Sequence, residues 1–554
     1  MTPDQLTLDT DWLKAQRAEQ QGDLRTALGH YRILVQRFPA NSKAFFALAR
    51  IATQVGEYPE SRIQMEAGLR LAPKEVAAWA QLGFVCVRLG DLGAAEKALA
   101  NAIRLDPKSA PLHINYANVQ KQLGKPDLAR RELETALKLS PRNVLALYNF
   151  GNLWRDVPDF DKAADCYRRA LAIEPQHVDS LYNLGCLLRD RDEVEQAQAM
   201  FEAAVRINPK RFDAWHNLAN AKRAQGDWKG ARAGYQAALA GGEWALPRYA
   251  LGTLDLLEKN WSQGWLGYEA RWEANKIPRL QSQLVRWQGE DVGPESRLLV
   301  YTEQGYGDII QFARFFPLLA QRFAHVGVHC PSLLARLFQQ NFIGGITVFD
   351  ALQDKHAASY THYVHIMSLG NVLQVDESLL NAIAAPYLRA SAPCRFPQDG
   401  SVFKIGFTWM GNPVQIDNAH RSIPLAALAS LFDAEGTKWY SLQKGAGAAL
   451  APWSELVSDE SDVWQDFADS ANFIAGLDLV ITVCTAQAHL AGALGKPVWL
   501  LSRFDADWRW QLNRQDSPWY PATRIFRQSR RGDWRDVIER IGDALKARNV
   551  TFES

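Results

Sequence analysis

The stretch ITVCTAQAHLAGALGKPVWLL, residues 481–501, begins as a β-branched run and breaks at Cys484-Thr485. It continues as a helix of small residues and returns to an apolar run after Lys496-Pro497. Strand, helix and strand in so short a span is the unit from which parallel sheets are built. The break carries a second meaning. A helix starting at Thr485 presents unpaired N–H groups and a partial positive charge, where an anion binds readily. Two readings follow: a buried strand–helix–strand unit with a satisfied His489, or a phosphate-holding loop with His489 one turn in.

Outward from this stretch the same alternation covers the second half of the chain. RLLVYTEQGYGDIIQFARFFPLLAQRF, 297–323, reads as strand, glycine loop and helix. HVGVHC, ITVFD and YVHIM follow as short apolar runs with helical patterns between them. The pattern restarts after ASAPCRFPQDG, 390–400, with FKIGFTWMGN, KWYSLQ, LDLVITV and PVWLLS, and the last helix falls at 533–547. This predicts two α/β domains, 296–390 and 400–554, each a parallel sheet covered by helices. Ligands of such sheets sit at the carboxyl ends of the strands. Chemistry is therefore expected in the loops at 303–308, 408–421, 443–445 and 484–489.

In these loops, Asp308 either caps its helix or takes a proton from an acceptor hydroxyl. Thr408, Gly411 and Asn412 open a loop that runs on through Pro413, Asp417 and His420 to Arg421. Arg421 suits a diphosphate as a bidentate donor, and Lys444 suits a phosphate as a point charge. For both, a solvated surface position is the plain alternative. Asp505-Ala-Asp507 lies outside the expected loops and reads as a chance acidic pair. His325, His329, His356, His362 and His365 form no credible ligand set, so no metal is expected. Trp508, Trp510, Trp519 and Tyr520 suit a sugar or base face and core packing equally.

The first half is periodic. Prolines stand at 39, 73, 107, 141, 175 and 209, each 34 residues after the last. Ala27, Ala95, Ala129, Ala163, Ala197 and Ala231 share one register; Tyr31, Met65, Leu99, Leu133, Tyr167, Phe201 and Tyr235 share another. Small residues facing large ones let paired helices approach, and proline ends the second helix of each unit. Asn115, Asn149, Asn183 and Asn217 recur on the same period, with Gln81 on their register. A second series is Asn118, Asn152 and Asn220. These amides either bridge neighbouring repeats or line a groove that binds the backbone of an extended acceptor peptide.

The periodic half resembles the tetratricopeptide repeat, with about seven units over residues 11–242. Its amide series is similar to the asparagine ladder of the nucleocytoplasmic O-linked N-acetylglucosamine transferase. EQGYGDIIQFARF, WMGNP…HRSIPL and TAQAHLAGALGKPVWLL, followed by DWRW and SPWYP, resemble the GT-B glycosyltransferases, most closely the heptosyltransferase-related group fused to tetratricopeptide repeats. Cys484 departs from the Asp often found in that group. The resemblance implies an all-α repeat superhelix over 1–242, a capping repeat and connector over 243–295, and a GT-B pair of Rossmann-like α/β domains. It implies Asp308 as the catalytic base and a nucleotide sugar held by Thr408, Gly411, Asn412, Arg421, Lys444, Thr485 and His489. No cofactor beyond that co-substrate is expected. Two rivals remain: a transferase of lipopolysaccharide or other glycan assembly, and a non-catalytic scaffold.

Composition narrows the classes. The 554 residues carry a formal net charge of +1, so no bulk field draws the chain to nucleic acid or an anionic membrane. The six cysteines, Cys86, Cys166, Cys186, Cys330, Cys394 and Cys484, contain no CxxC pair. MTPDQLTLDT lacks an apolar signal core, and no run of about 18 apolar residues is present. A cytoplasmic protein without stable membrane insertion is expected, acting on an acceptor protein such as flagellin before export.

Overall fold

The computed structural model describes residues 3–277, 283–351, 357–392, 396, 402–412 and 418–547. His356, Cys394, Pro413 and Asp417 lie outside the described residues. The chain forms two compact units, Met1–Arg211 and Phe212–Ser554.

The first unit is entirely helical in its described residues. Helices Ser42–Gln54 and Tyr58–Leu71, Val76–Arg88 and Leu92–Leu105, Ala110–Gln122 and Pro126–Leu139 pair in succession. Val144–Asp156 with Phe160–Ile173, and Val178–Asp190 with Val194–Ile207, continue the array. The small-against-large pattern has a direct steric cause. A Cβ on Gly83 would stand 2.6 Å from Leu99, one on Gly151 2.5 Å from Tyr167, and one on Gly185 2.8 Å from Phe201. Each large residue of the second helix thus sits over the bare backbone of the first. Asp23, Asp91 and Asp159 cap second helices through the N–H groups of Thr26, Ala94 and Lys162, at 2.9–3.2 Å. This unit is a tetratricopeptide-repeat array.

The second unit begins with one further helix pair, Phe212–Ala224 and Trp228–Leu239, then Ala245–Leu257 and Trp261–Tyr268. In the latter pair Gly252 and Gly267 meet backbone to backbone, since a Cβ on either would lie 2.6 Å from the other. The connector does not merely adjoin the sheets. Trp265 is buried and donates its indole N–H to the Val375 carbonyl at 2.7 Å.

Two parallel sheets follow. Strands β1 (Val285–Arg286), β2 (Arg297–Tyr301), β3 (His325–His329), β4 (Ile346–Phe349) and β5 (His362–His365) lie in the order β1-β5-β2-β3-β4. Strands β6 (Phe403–Thr408), β7 (Thr437–Ser441), β8 (Val457–Asp459), β9 (Leu479–Val483), β10 (Val498–Ser502) and β11 (Thr523–Arg527) lie in the order β11-β10-β9-β6-β7-β8. All pairings are parallel. Counted from β6, the second sheet has the doubly wound order 3-2-1-4-5-6, and that order reverses between β6 and β9. Every residue of β9 and β10 is buried, which is why 481–501 reads as unbroken apolar runs rather than alternation. The helix of that stretch is Ala486–Ala493. It packs against helix Tyr306–Ala313 of the first sheet. Arg336 clamps Asp466 with two bonds, 2.7 and 2.6 Å, and so ties helix Ser332–Asn341 to the N-cap of helix Phe467–Ala475.

Candidate active site at the carboxyl edges of the sheets

The reversal point of the second sheet is lined by hydroxyls. Thr408 ends β6, Thr482 lies within β9, and Thr485 is the N-cap of helix Ala486–Ala493. Thr485 makes no side-chain cap bond; its hydroxyl lies 3.0 Å from that of Thr482 and 3.4 Å from that of Thr408. Thr408 and Thr482 also share a short hydrogen bond. The first N–H groups of this helix are therefore left without the threonine oxygen that usually satisfies them. The guanidinium of Arg421 lies directly against Gly411: a Cβ there would fall 2.4 Å from Nη2. A bare backbone at 411 is what admits the arginine beside β6. Asn412 is exposed at the edge of the same loop. Lys444 donates its ammonium to the Trp464 carbonyl.

Three expectations change. His489 was expected to reach a ligand at the loop. Instead it is buried, with Nδ1 3.0 Å from the Tyr520 hydroxyl and its ring stacked on Trp510 at 5.5 Å. Burial, with Arg509 nearby, pushes its pKa down to about 3, so the imidazole is neutral at physiological pH. The second change concerns Asp308, which is not an open carboxylate. One oxygen accepts from the Gly305 N–H at 3.0 Å, reaching back to the N-cap of its own helix, and the other pairs with Arg509.

The third concerns the amide series, which is not a uniform row. Asn183 is buried and donates to Asn152 at 2.8 Å, while accepting from Arg155 at 3.3 Å. Tyr167 donates to the same Asn152 oxygen at 2.6 Å. Asn217, in the second unit, donates to the Asp213 carbonyl at 3.2 Å and is buried. Asn115 is exposed, and Asn149 is half-buried with an amide nitrogen that has no partner. The period placed all four on one helix position, but their neighbours differ, so some bridge repeats and others do not.

Arg509 is the residue that sequence reasoning passed over, although it lies in the quoted DWRW. It is buried; Nε donates to Gln311 at 3.0 Å, Nη1 to Asp507 at 2.8 Å, and its plane lies 4.2 Å from the Trp508 ring. The signal that was available is the acid–x–arginine spacing, which lets Asp507 cap its turn and hold the guanidinium at once. Asp505 pairs with Arg503 at 3.0 Å. Cys484 accepts the Trp510 indole N–H at 3.2 Å, and burial pushes its thiol pKa up to about 11. It is no activated nucleophile.

The reversal point of the first sheet, between β2 and β5, is filled from within. Arg271 of the connector is fully buried and donates to Glu303 at 2.6 Å, Glu269 at 2.7 Å and Ser368 at 2.9 Å. Its guanidinium lies 4.4 Å from the Trp272 ring. Glu303 was expected in a ligand loop; it belongs to this internal cluster. Among the described residues no group of three or more His, Cys, Asp or Glu is placed to hold a metal ion, and no helix is long and apolar enough to cross a membrane.

Comparison with known proteins agrees with the repeat array. Residues 2–208 match the model of the Cilia and flagella-associated protein 70 C-terminal domain, and residues 182–244 match the tetratricopeptide repeat. Protein FlbA of Caulobacter vibrioides is 26% identical over 333 residues. That match spans 54% of this chain and 55% of FlbA, about half the length of each. Among solved structures, a tetratricopeptide repeat protein from Parabacteroides merdae aligns with TM-score 0.39 and 16% identity, over 44% of this chain and 98% of that one. Pseudomonas aeruginosa pilF aligns with TM-score 0.35 and 22% identity, over 37% and 93%. The N-terminal part of the chain is thus a tetratricopeptide-repeat array, followed by a C-terminal α/β region of parallel sheets.

Proposed function

We propose that the chain is a protein glycosyltransferase whose two α/β sheets act as a GT-B pair. The observation that carries this reading is the second sheet's 3-2-1-4-5-6 order, with Thr408, Thr482 and Thr485 gathered where it reverses. Open sheets of this order bind nucleotides at that point. The uncapped start of helix Ala486–Ala493 suits the donor's diphosphate, and Arg421 and Lys444 offset the charge that builds on the leaving phosphate. Asp308 accepts the acceptor hydroxyl's proton through the lone pairs that Gly305 and Arg509 leave open. The O–H bond breaks, the freed oxygen bonds to the sugar's anomeric carbon, and that carbon's bond to phosphate oxygen breaks with its electron pair. The repeat array captures the acceptor, for which flagellin is the first candidate.

Intact-protein mass spectrometry of candidate acceptors, from cells with and without the gene, tests this. Loss of a glycan-sized mass from one protein in the deletion, unrestored by Asp308→Asn, is expected. Unchanged protein masses with an altered surface polysaccharide would transfer the activity to glycan assembly.

A second reading is a peptide-binding scaffold. The capped and ion-paired Asp308 and the inward-turned His489 favour it. Unchanged masses and polysaccharide alike, with no thermal shift on adding nucleotides, would establish it.

A further inference from the structure

Arg509 takes no part in the proposed transfer step, yet it is buried and paired on three sides. Its guanidinium is committed in three directions: Nε to Gln311 on the first sheet's helix, Nη1 to Asp507 in its own loop, and Nη2 to Asp308. Trp508 covers its face at 4.2 Å. Held this way, the fork cannot swing out to grip a phosphate. Two carboxylates share one guanidinium here: Asp507 anchors it, and Asp308 receives it.

The consequence falls on Asp308. Arg509 occupies one oxygen, and the Gly305 N–H, at 3.0 Å, occupies the other. A carboxylate held at both oxygens can no longer rotate. Each oxygen keeps one lone pair free, and the side chain is 18% exposed, so the carboxylate stays within reach of solvent. The carboxylate belongs to helix Tyr306–Ala313 after β2, and the guanidinium to the loop after β10.

We propose that Arg509 is the positioning residue for Asp308: an arginine from the second sheet fixes the direction of the acceptor-activating carboxylate carried by the first. The inference rests on the transferase reading. It makes Asp308 complete only when elements of both sheets are in place, and misdirecting a reacting group by about 1 Å costs up to roughly a hundredfold in rate.

The test uses the full chain and the nucleotide sugar that the wild type consumes from a panel of UDP-, GDP- and CMP-linked sugars. Arg509→Lys and Gln311→Leu are compared with Asp308→Asn. Lysine meets Asp308 but not Gln311 and Asp507 together. Leucine at 311 frees Nε, leaves the Arg509 pairs with Asp507 and Asp308 in place, and removes an amide whose NH2 already lacks a partner, so it is the milder of the two changes. The expected result is a kcat lowered at least about tenfold in both, with donor KM within about twofold, and no transfer by Asp308→Asn. A wild-type kcat in Gln311→Leu and Arg509→Lys, or a raised KM with unchanged kcat, would overturn the positioning role and leave the transferase reading standing. A wild type that consumes no donor and modifies no protein would end both.

Discussion

Gly307 lies against His489: a methyl group at 307 would stand 2.7 Å from the imidazole Cδ2 and 3.4 Å from the Ala486 Cα. The glycine loop after β2 and the helix after β9 approach this closely because residue 307 carries no side chain to meet the imidazole. Gly307 of EQGYGD therefore serves helix-to-helix approach as well as the turn.

Substituting Gly307→Ala is expected to destabilise the chain by about 1–3 kcal/mol, the usual cost of overpacking. Urea denaturation followed by tryptophan fluorescence measures it. An unchanged midpoint would mean that the two helices separate at little cost.

His489 makes stability depend on pH. Its pKa is about 3 when folded, against about 6.5 in an unfolded chain. Between those values the unfolded chain binds the proton and the folded chain does not, so this contribution is full above about pH 6.5 and falls as pH drops toward 3. The loss is on the order of 2 kcal/mol by pH 5. Urea midpoints at pH 7 and pH 5 should differ by more in the wild type than in His489→Gln. Equal differences would remove His489 as the cause.

The amide series divides into structural and open members. Asn183→Ala breaks a 2.8 Å bond to Asn152 and a 3.3 Å bond from Arg155, and is expected to cost about 1–2 kcal/mol. Asn115→Ala, on an exposed side chain, is expected to leave stability unchanged. Thermal unfolding of the two variants decides the division; equal effects would contradict it.

Arg271 is expected to be indispensable to the first sheet. Arg271→Ala strands Glu303 in a buried site, while Glu269 keeps its pair with Arg286, a loss of roughly 3–5 kcal/mol. A soluble variant with wild-type unfolding would show that water reaches the cluster freely.

Legibility differed by kind of interaction. The repeats were readable because each unit makes the same local contacts, so Leu99, Tyr167 and Phe201 recur over Gly83, Gly151 and Gly185 at a fixed spacing. Strands β9 and β10 were readable from apolar runs that burial on both faces demands. Thr408 and Thr485 were placed at strand ends by pattern alone, and they meet at the sheet's reversal. Arg509 and Thr482 were not singled out. Arg509 meets Asp308 across 201 residues, and no local spacing encodes such a pairing.

By itself, the sequence determined the helix-pair period, the change to alternating strands and helices after residue 294, and the loops that end the strands. Those are consequences of short-range steric and hydrophobic patterns that each segment carries. Tertiary structure alone decided the strand order of each sheet, the burial of His489, the filling of the first sheet's reversal point by Arg271 and the pairing of Asp308 with Arg509. These depend on which distant segments share a dry environment, where a charge must find its partner and an imidazole must stay neutral.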